Sequence, residues 1–273
     1  MQGRLSDRPG SRLQAFPEAT WEREFALARQ VGFDCIEWVL ETAPGPETPL
    51  WSDAGRRDIR RAIDQSGVSV SSICADYFMD VSLGSPREEV ADRAVSVMRQ
   101  LVSAAADVGA RRILVPLVEQ AALPTEEARN RFRHGVRRCL SAVEQCRIVL
   151  ALEMEIPGQD YADFVASLGH PLVRACYDTG NSTAQGFDVG IDVVPVVPFL
   201  DAIHVKDRVV RGTSKTLGTG DTNFRGLFAA LRDGGFAGDV ISQHYFGADP
   251  LVEARRAHDF IRNGLGEGAR EVA

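Results

Sequence analysis

The sequence predicts an α/β protein built as a (β/α)8 TIM barrel, and three observations carry that reading. Short β-branched runs alternate with longer stretches of helical period at intervals of roughly 30 residues, the rhythm of βα units joined into a parallel sheet. The alternation runs through eight repeats. No linker, low-complexity segment or composition break interrupts it over 273 residues, close to the usual length of such a barrel. A doubly wound open sheet is the competing arrangement, but it usually needs fewer strands, and no G-x-G-x-x-G follows the first one. One domain spanning residues 1–273 is expected.

The predicted strands are Gln2–Leu5, Asp34–Leu40, Val68–Ala75, Arg112–Leu117, Ile148–Glu153, Leu172–Asp178, Ala202–Lys206 and Asp239–Tyr245. Between them lie helical patterns with recognisable ends. Ser85-Pro86-Arg87-Glu88 reads as a capping box with proline at the first helical position, opening an amphipathic run through Val108 that Gly109 stops. Thr20, Ser52, Thr125 and Asp160 read as N-caps, while Ser66-Gly67 and Gly234-Gly235 read as helix C-termini.

An apolar fraction of 44% with 25 glycines and 13 prolines is that of a folded chain with a sizeable core. No apolar segment follows the Met1 start and no run of about 18 apolar residues occurs, so neither secretion nor membrane insertion is expected. Five cysteines without a C-x-x-C pair fit reduced thiols in a cytoplasmic protein, with no disulfide framework and no zinc knuckle. The formal charge of −7, with the positive charges spread along the chain, disfavours a nucleic-acid partner and favours a small molecule.

In a barrel of this kind chemistry collects at the C-terminal strand ends. Four apolar runs close on polar residues: Leu150-Ala-Leu-Glu153, Cys176-Tyr-Asp178, Ile203-His204-Val-Lys206-Asp207 and Val240-Ile-Ser-Gln243-His244. Two carboxylates, an imidazole and an amide at four successive strand ends suit a hard divalent cation. For any one of them, a carboxylate that merely caps a neighbouring loop is the alternative. Residues alternate faces along a strand, so an inward Gln243 sends His244 toward the helices. Glu37 and Asp76, closing the second and third runs, are candidates for substrate hydroxyls or for loop caps, and Trp38 is the tryptophan expected to face a sugar. Glu155 is a substrate contact or a solvated loop acid.

The chain has 29 arginines but only two lysines, Lys206 and Lys215, both on or just after the seventh predicted strand. Lys206, two residues from His204, is aimed at the barrel interior, to hold a substrate oxygen or phosphate or to pair with a buried carboxylate such as Asp207 or Glu153. Lys215, Arg208 and Arg211 with Gly218-Thr-Gly220 form an anion-binding lid or a solvated basic loop. The basic cluster Arg129 to Arg138 falls in a predicted helix with Glu126, Glu127 and Glu144, as a solvated face does.

The stretches Val31-Gly-Phe-Asp-Cys-Ile-Glu37, Gly84-Ser-Pro-Arg-Glu-Glu89 through Met98, Leu150-Ala-Leu-Glu153, Tyr177-Asp-Thr-Gly-Asn181, Ile203-His-Val-Lys-Asp207 and Gly218-Thr-Gly-Asp-Thr-Asn-Phe224 occur in this order. Together they resemble the xylose-isomerase-like TIM barrels, and within them the sugar and sugar-phosphate isomerases and 3-epimerases, over about Trp21 to Ile261. The resemblance implies that Glu153, Asp178 and His204 bind a divalent metal, manganese foremost among Mn, Mg, Co and Zn, and that Glu153 doubles as the base that removes a proton next to the substrate carbonyl. Glu153 and Lys206 are then the catalytic pair. Glu37, Trp38, Asp76, Asn181 and Arg208 form the expected substrate-binding set. The fourth ligand implied is a glutamate, and this chain has Gln243 there. An amide oxygen still coordinates a hard cation but has no proton to exchange near neutral pH. The metal should bind more weakly and act as the stronger Lewis acid.

The expected function is therefore a metal-dependent isomerase or epimerase acting on a ketose or sugar phosphate through an enediolate. The alternatives are a metal-dependent lyase or hydrolase on a sugar derivative and a non-catalytic sugar-binding barrel. A DNA-repair nuclease, which shares the barrel by resemblance, needs several metals and many histidines, against five here and a negative net charge. The expected partner is the small-molecule sugar or sugar phosphate, with no nucleic acid and no membrane. Whether the chain is a homo-oligomer is left open.

Overall fold

The computed structural model describes residues 1–2, 4–6, 16–45 and 48–266. Its strands are β1 (Cys35–Val39), β2 (Ser69–Cys74), β3 (Arg112–Leu117), β4 (Val149–Met154), β5 (Val173–Asp178), β6 (Leu200–Val205), β7 (Asp207–Arg208), β8 (Ser214–Lys215) and β9 (Asp239–Ser242). Seven of them pair in parallel in the order β1-β2-β3-β4-β5-β6-β9, while β7 and β8 form a small antiparallel hairpin in the loop after β6. The predicted first strand is reduced to Gln2, which bridges Glu37 of β1 and donates its N–H to the Ser242 carbonyl of β9 at 3.1 Å. Among the described residues, Met1 and Gln2 thus link the two sheet edges of the seven-stranded barrel. Gly3 of the predicted strand lies outside the described residues.

Helices follow the strands as the alternation requires: Trp21–Val31, Asp53–Ser66, Glu88–Asp107, Glu126–Cys146, Gly158–Leu168, Thr179–Ala184, Val189–Asp192, Phe224–Asp233 and Pro250–Leu265, besides the single turn Tyr77–Asp80. Ser52 and Thr125 cap their helices through side-chain oxygens, and Gly67 ends one in the left-handed conformation at φ 71°. Two expected caps differ. Asp160 sits inside the first turn of a helix that Pro157 opens, and Ser85 accepts from the Arg87 N–H in a turn before a helix that starts at Glu88.

The core has two layers. Large apolar side chains from the strands pack outward on the helices. Inside, Cys74, Leu114, Ala151, Cys176 and Ala202, one from each of β2 to β6, form a separate ring of mostly small residues. Two residues further on, three of these strands present Glu153, Asp178 and His204. The alternation of a strand therefore places them in the next inward layer, toward the C-terminal mouth. Two residues before Leu114, the buried Arg112 crosses the barrel floor to Asp201 of β6 and Asp239 of β9, 2.5 Å from the latter.

Candidate active site

Asp178 and His204 are register partners on β5 and β6, which sets their side chains next to each other. The donor atoms of Glu153, Asp178 and His204 all lie within 4.8 Å of one another, and all three residues are buried. Asp178 caps the helix Thr179–Ala184 with Oδ1, which accepts from the Asn181 N–H at 2.8 Å. Its other oxygen, Oδ2, is buried without a hydrogen-bond partner, 3.9 Å from His204 Nδ1 and 3.8 Å from Lys206 Nζ. A buried carboxylate oxygen without a donor is costly unless a cation meets it. The set of two carboxylates, an imidazole nitrogen and an amide is the donor chemistry of Mn, Mg or Co, so the residues fit such an ion.

Gln243 continues the β9 pairing through its N–H to the Val205 carbonyl. Its side chain joins the group: Nε2 lies 2.9 Å from His204 Nδ1, and Oε1 3.5 Å from Lys206 Nζ. Rotation of the amide, whose ends differ only in hydrogen-bonding character, brings the oxygen to the face shared by the three ligands. Burial raises the Glu153 carboxyl pKa, the Asp178 charge adds to it, and His204 and Lys206 oppose. Burial alone would lower His204, but Cys176 and Glu37 outweigh it and hold the imidazole well above its ordinary value.

Asn181 is the hub on the substrate side. Its Nδ2 donates to Glu153 Oε1 at 3.0 Å, and its Oδ1 accepts from Lys206 Nζ at 3.3 Å and Arg208 Nη1 at 3.2 Å. Gly180 permits this: a Cβ there would come within 2.7 Å of Lys206 Cγ. The lysine faces Asp178, not the Asp207 or Glu153 expected as its partner. Asp207 points into the following loop, where its carboxylate accepts from the backbone N–H groups of Gly218, Gly220 and Thr222 at 2.9, 2.8 and 3.3 Å. The Gly-Thr-Gly turn is thus filled by the chain's own carboxylate.

A cavity of ≈ 850 Å³ opens on this group and is bordered by Glu153, Asn181, Lys206, Arg208, Gln243 and Asp76. Two members of the expected substrate-binding set lie elsewhere. Glu37 is fully buried beneath His204, with Oε1 3.0 Å from Nε2 and Oε2 accepting from Ser72 Oγ at 2.8 Å. Trp38 faces the other way and packs in the outer layer against Trp21 and Phe16, with ring centroids 5.5 and 4.7 Å away. His244, expected among the helices, is buried beside Ser242 Oγ and borders the cavity. Sequence reasoning passed over Cys74 and Arg4, which also border it. Strand alternation from Asp76 back to Cys74, and from Gln2 forward to Arg4, was the signal for both.

The profile of the xylose isomerase-like TIM barrel family matches residues 25–264, and the chain belongs to that family. Among curated relatives, the L-ribulose-5-phosphate 3-epimerase of Salmonella typhi is 27% identical over 256 residues, covering 89% of each chain. That of Escherichia coli strain SMS-3-5 is 28% identical over 258 residues with the same coverage. Among solved structures, an L-ribulose 3-epimerase superposes with a TM-score of 0.73 at 23% identity, over 89% of this chain and 88% of that one. The E. coli 3-keto-D-glucoside 4-epimerase gives 0.73 at 20% identity, over 92% and 97%.

Proposed function

We propose that this protein is a divalent-metal-dependent epimerase of ketoses or ketose phosphates that works through an enediolate. The observation that carries the reading is the buried triad Glu153, Asp178 and His204, with an Asp178 oxygen that accepts no hydrogen bond, beside a cavity that Glu153 borders. The names of the curated relatives support the same reaction class.

Glu153, Asp178, His204 and the Gln243 amide oxygen would hold the cation, manganese foremost. Bound there, it would supply Lewis-acid polarisation of a substrate carbonyl and the neighbouring hydroxyl. Glu153 takes the proton from the carbon between them. The C–H pair becomes the C=C bond, the carbonyl pair moves to oxygen, and an enediolate results. Asn181 fixes the Glu153 carboxylate for this transfer, and Lys206 sets a positive charge beside the developing oxyanion. Asn181 and Arg208 bind substrate oxygens, and Asp76 faces the substrate from the β2 side of the cavity. Arg4, Arg208 and Lys215 on the cavity wall suit a phosphorylated ketose.

The test is NMR of L-ribulose 5-phosphate and free ketoses in ²H₂O with the Mn-loaded protein. Metal-dependent deuterium uptake next to the carbonyl, with inversion at that carbon, is the expected result. Binding without exchange would support the non-catalytic sugar-binding barrel, and exchange with aldose formation would support isomerisation, which needs a single base and which the Gln243 amide favours.

A further inference from the structure

Inversion requires two proton carriers on opposite sides of the reacting carbon. Glu153 is one, and the Gln243 amide has no exchangeable proton near neutrality. The other ionisable groups of the cavity wall narrow quickly. Glu119 and Tyr245 stand exposed at the rim. Burial raises the Cys74 thiol well above its ordinary value, so it keeps its proton, and the His244 ring is turned to Ser242, its Nδ1 3.0 Å from Oγ. Lys206 Nζ is held among the ligand residues, on the same Asn181 that binds Glu153 and 3.8 Å from Asp178 Oδ2, so it stands on the Glu153 side. Asp76 remains.

Its position suits the task. Asp76 follows β2 in the turn that opens the short helix Tyr77–Asp80, with its carboxyl folded back on the Cys74 thiol of the inner ring, and it borders the cavity on the β2 side as Glu153 does on the β4 side. Only β3 separates them. Two strand spacings amount to roughly 9–10 Å, which leaves room for a sugar carbon between two carboxyl groups. Pro116, the Glu153 register partner on β3, also borders the cavity and brings no group that competes for a proton. The Cys74 thiol donates to Asp76 Oδ1 at 3.1 Å, and Oδ2 has no partner among the described residues.

We propose that Asp76 is the second proton carrier, meeting the reacting carbon from the side opposite Glu153; the inference rests on the epimerase reading above. Glu153 removes the proton and leaves the enediolate. Protonated Asp76 then gives its proton to the same carbon on the other side, as the oxyanion pair re-forms the carbonyl and the C=C pair becomes the new C–H bond. Solvent exchange resets both carboxyl groups, and no electrons are gained or lost. The surroundings keep Asp76 able to do this near neutrality. Burial pushes its carboxyl up to about 6, the charges of Glu41 and Glu37 add to the rise, and the Cys74 hydrogen bond and His204 oppose it.

The test follows inversion and exchange separately in Asp76→Asn, in ²H₂O, with Mn²⁺ and L-ribulose 5-phosphate plus a panel of free ketoses as probes. The expected result is inversion slowed by about 10²–10⁴-fold, while recovered substrate still takes up deuterium at the wild-type order of magnitude. Asp76→Glu should restore part of the inversion, and the limb near pH 6 in the wild-type inversion profile should vanish in Asp76→Asn. Inversion at the wild-type rate in Asp76→Asn, or loss of exchange and inversion in equal proportion with circular dichroism unchanged, would overturn the proposal. Absence of any exchange in the wild-type protein would overturn the epimerase reading and this inference with it.

Discussion

Glu37→Gln isolates what the carboxylate beneath the site does. Glu37 Oε1 lies 3.0 Å from His204 Nε2, Oε2 accepts from Ser72 Oγ, and both Glu37 and His204 are fully buried. The buried acid fixes the ring with Nδ1 facing Asp178 and Glu153 and makes that nitrogen a better donor. Glutamine keeps the shape: its oxygen takes the place beside His204, and its NH₂ donates to the Ser72 hydroxyl. What is lost is the charge, and partners of this kind typically change metal affinity by about 10–100-fold, or about 1.4–2.7 kcal/mol. The stabilisation conferred by saturating Mn²⁺ should fall by the same amount, which at about 2–4 °C per kcal/mol is a loss of about 3–11 °C in the metal-induced rise of Tm. Titration calorimetry with Mn²⁺ and melts with and without the ion provide two readouts. Equal Mn²⁺ affinity in wild type and variant would refute the view that Glu37 holds His204 in its ligating form.

Glu153→Gln should keep the fold and part of the metal affinity and lose deuterium exchange by at least about 10²-fold, because an oxygen ligand remains and the base does not; near-normal exchange would move that role to Glu155. Gln243→Glu should tighten Mn²⁺ binding measured by calorimetry, since a carboxylate replaces an amide with almost no change in volume, and unchanged affinity would mean that residue 243 does not touch the ion. Arg112→Met should lower stability in urea by about 2–3 kcal/mol, below the figure for a fully buried pair because Asp201 and Asp239 are 25% and 22% exposed. Burial works to raise the Asp239 carboxyl, but Arg112 outweighs it and the net shift is downward. Its contribution is therefore present above about pH 4, the ordinary aspartate value, and fades as pH falls through the lowered one. Urea titrations of the wild type at pH 7 and pH 3 should show that loss, and Arg112→Met should reduce it.

Seven of the strands and the inward convergence of Glu153, Asp178 and His204 were legible because both follow from a period of two. An acid or imidazole two residues beyond a small inner-ring residue must point to the same interior, as the pairs Ala151/Glu153, Cys176/Asp178 and Ala202/His204 do. What the sequence could not reveal is height along the barrel axis, which depends on how neighbouring strands are staggered. Glu37 pairs in register with Ser72, below Cys74, after an irregularity between Ile36 and Glu37. It therefore lies a layer deeper than a strand-end residue, under His204, and Trp38 is turned outward to the helices. Among the described residues the first strand is a bridge at Gln2 for a related reason: the hydrogen bonds of Met1 and Gln2 to Glu37 and Ser242 already reach both sheet edges. Asp207 was ambiguous because Gly218 and Gly220, which bind it, are more than ten residues away.

Charge ties Gln243 to Lys206. With a divalent ion bound, Glu153 and Asp178 would balance its two positive charges, and neutral His204 and Gln243 would add nothing. The Lys206 ammonium, 3.8 Å from Asp178 Oδ2 and bonded to the Asn181 oxygen, would then be a surplus positive charge facing the cavity, with Arg208 held on the same oxygen. A glutamate at position 243 would draw Lys206 into an ion pair and cancel that surplus. The amide leaves the lysine on the neutral Asn181 oxygen, so in the proposed mechanism its field would fall on the substrate, where negative charge grows as the enediolate forms. In the proposed mechanism the residue that gives up proton transfer would thereby strengthen stabilisation of the oxyanion, and proton carrying would fall to the Asp76 carboxyl, where its charge does not neutralise the lysine.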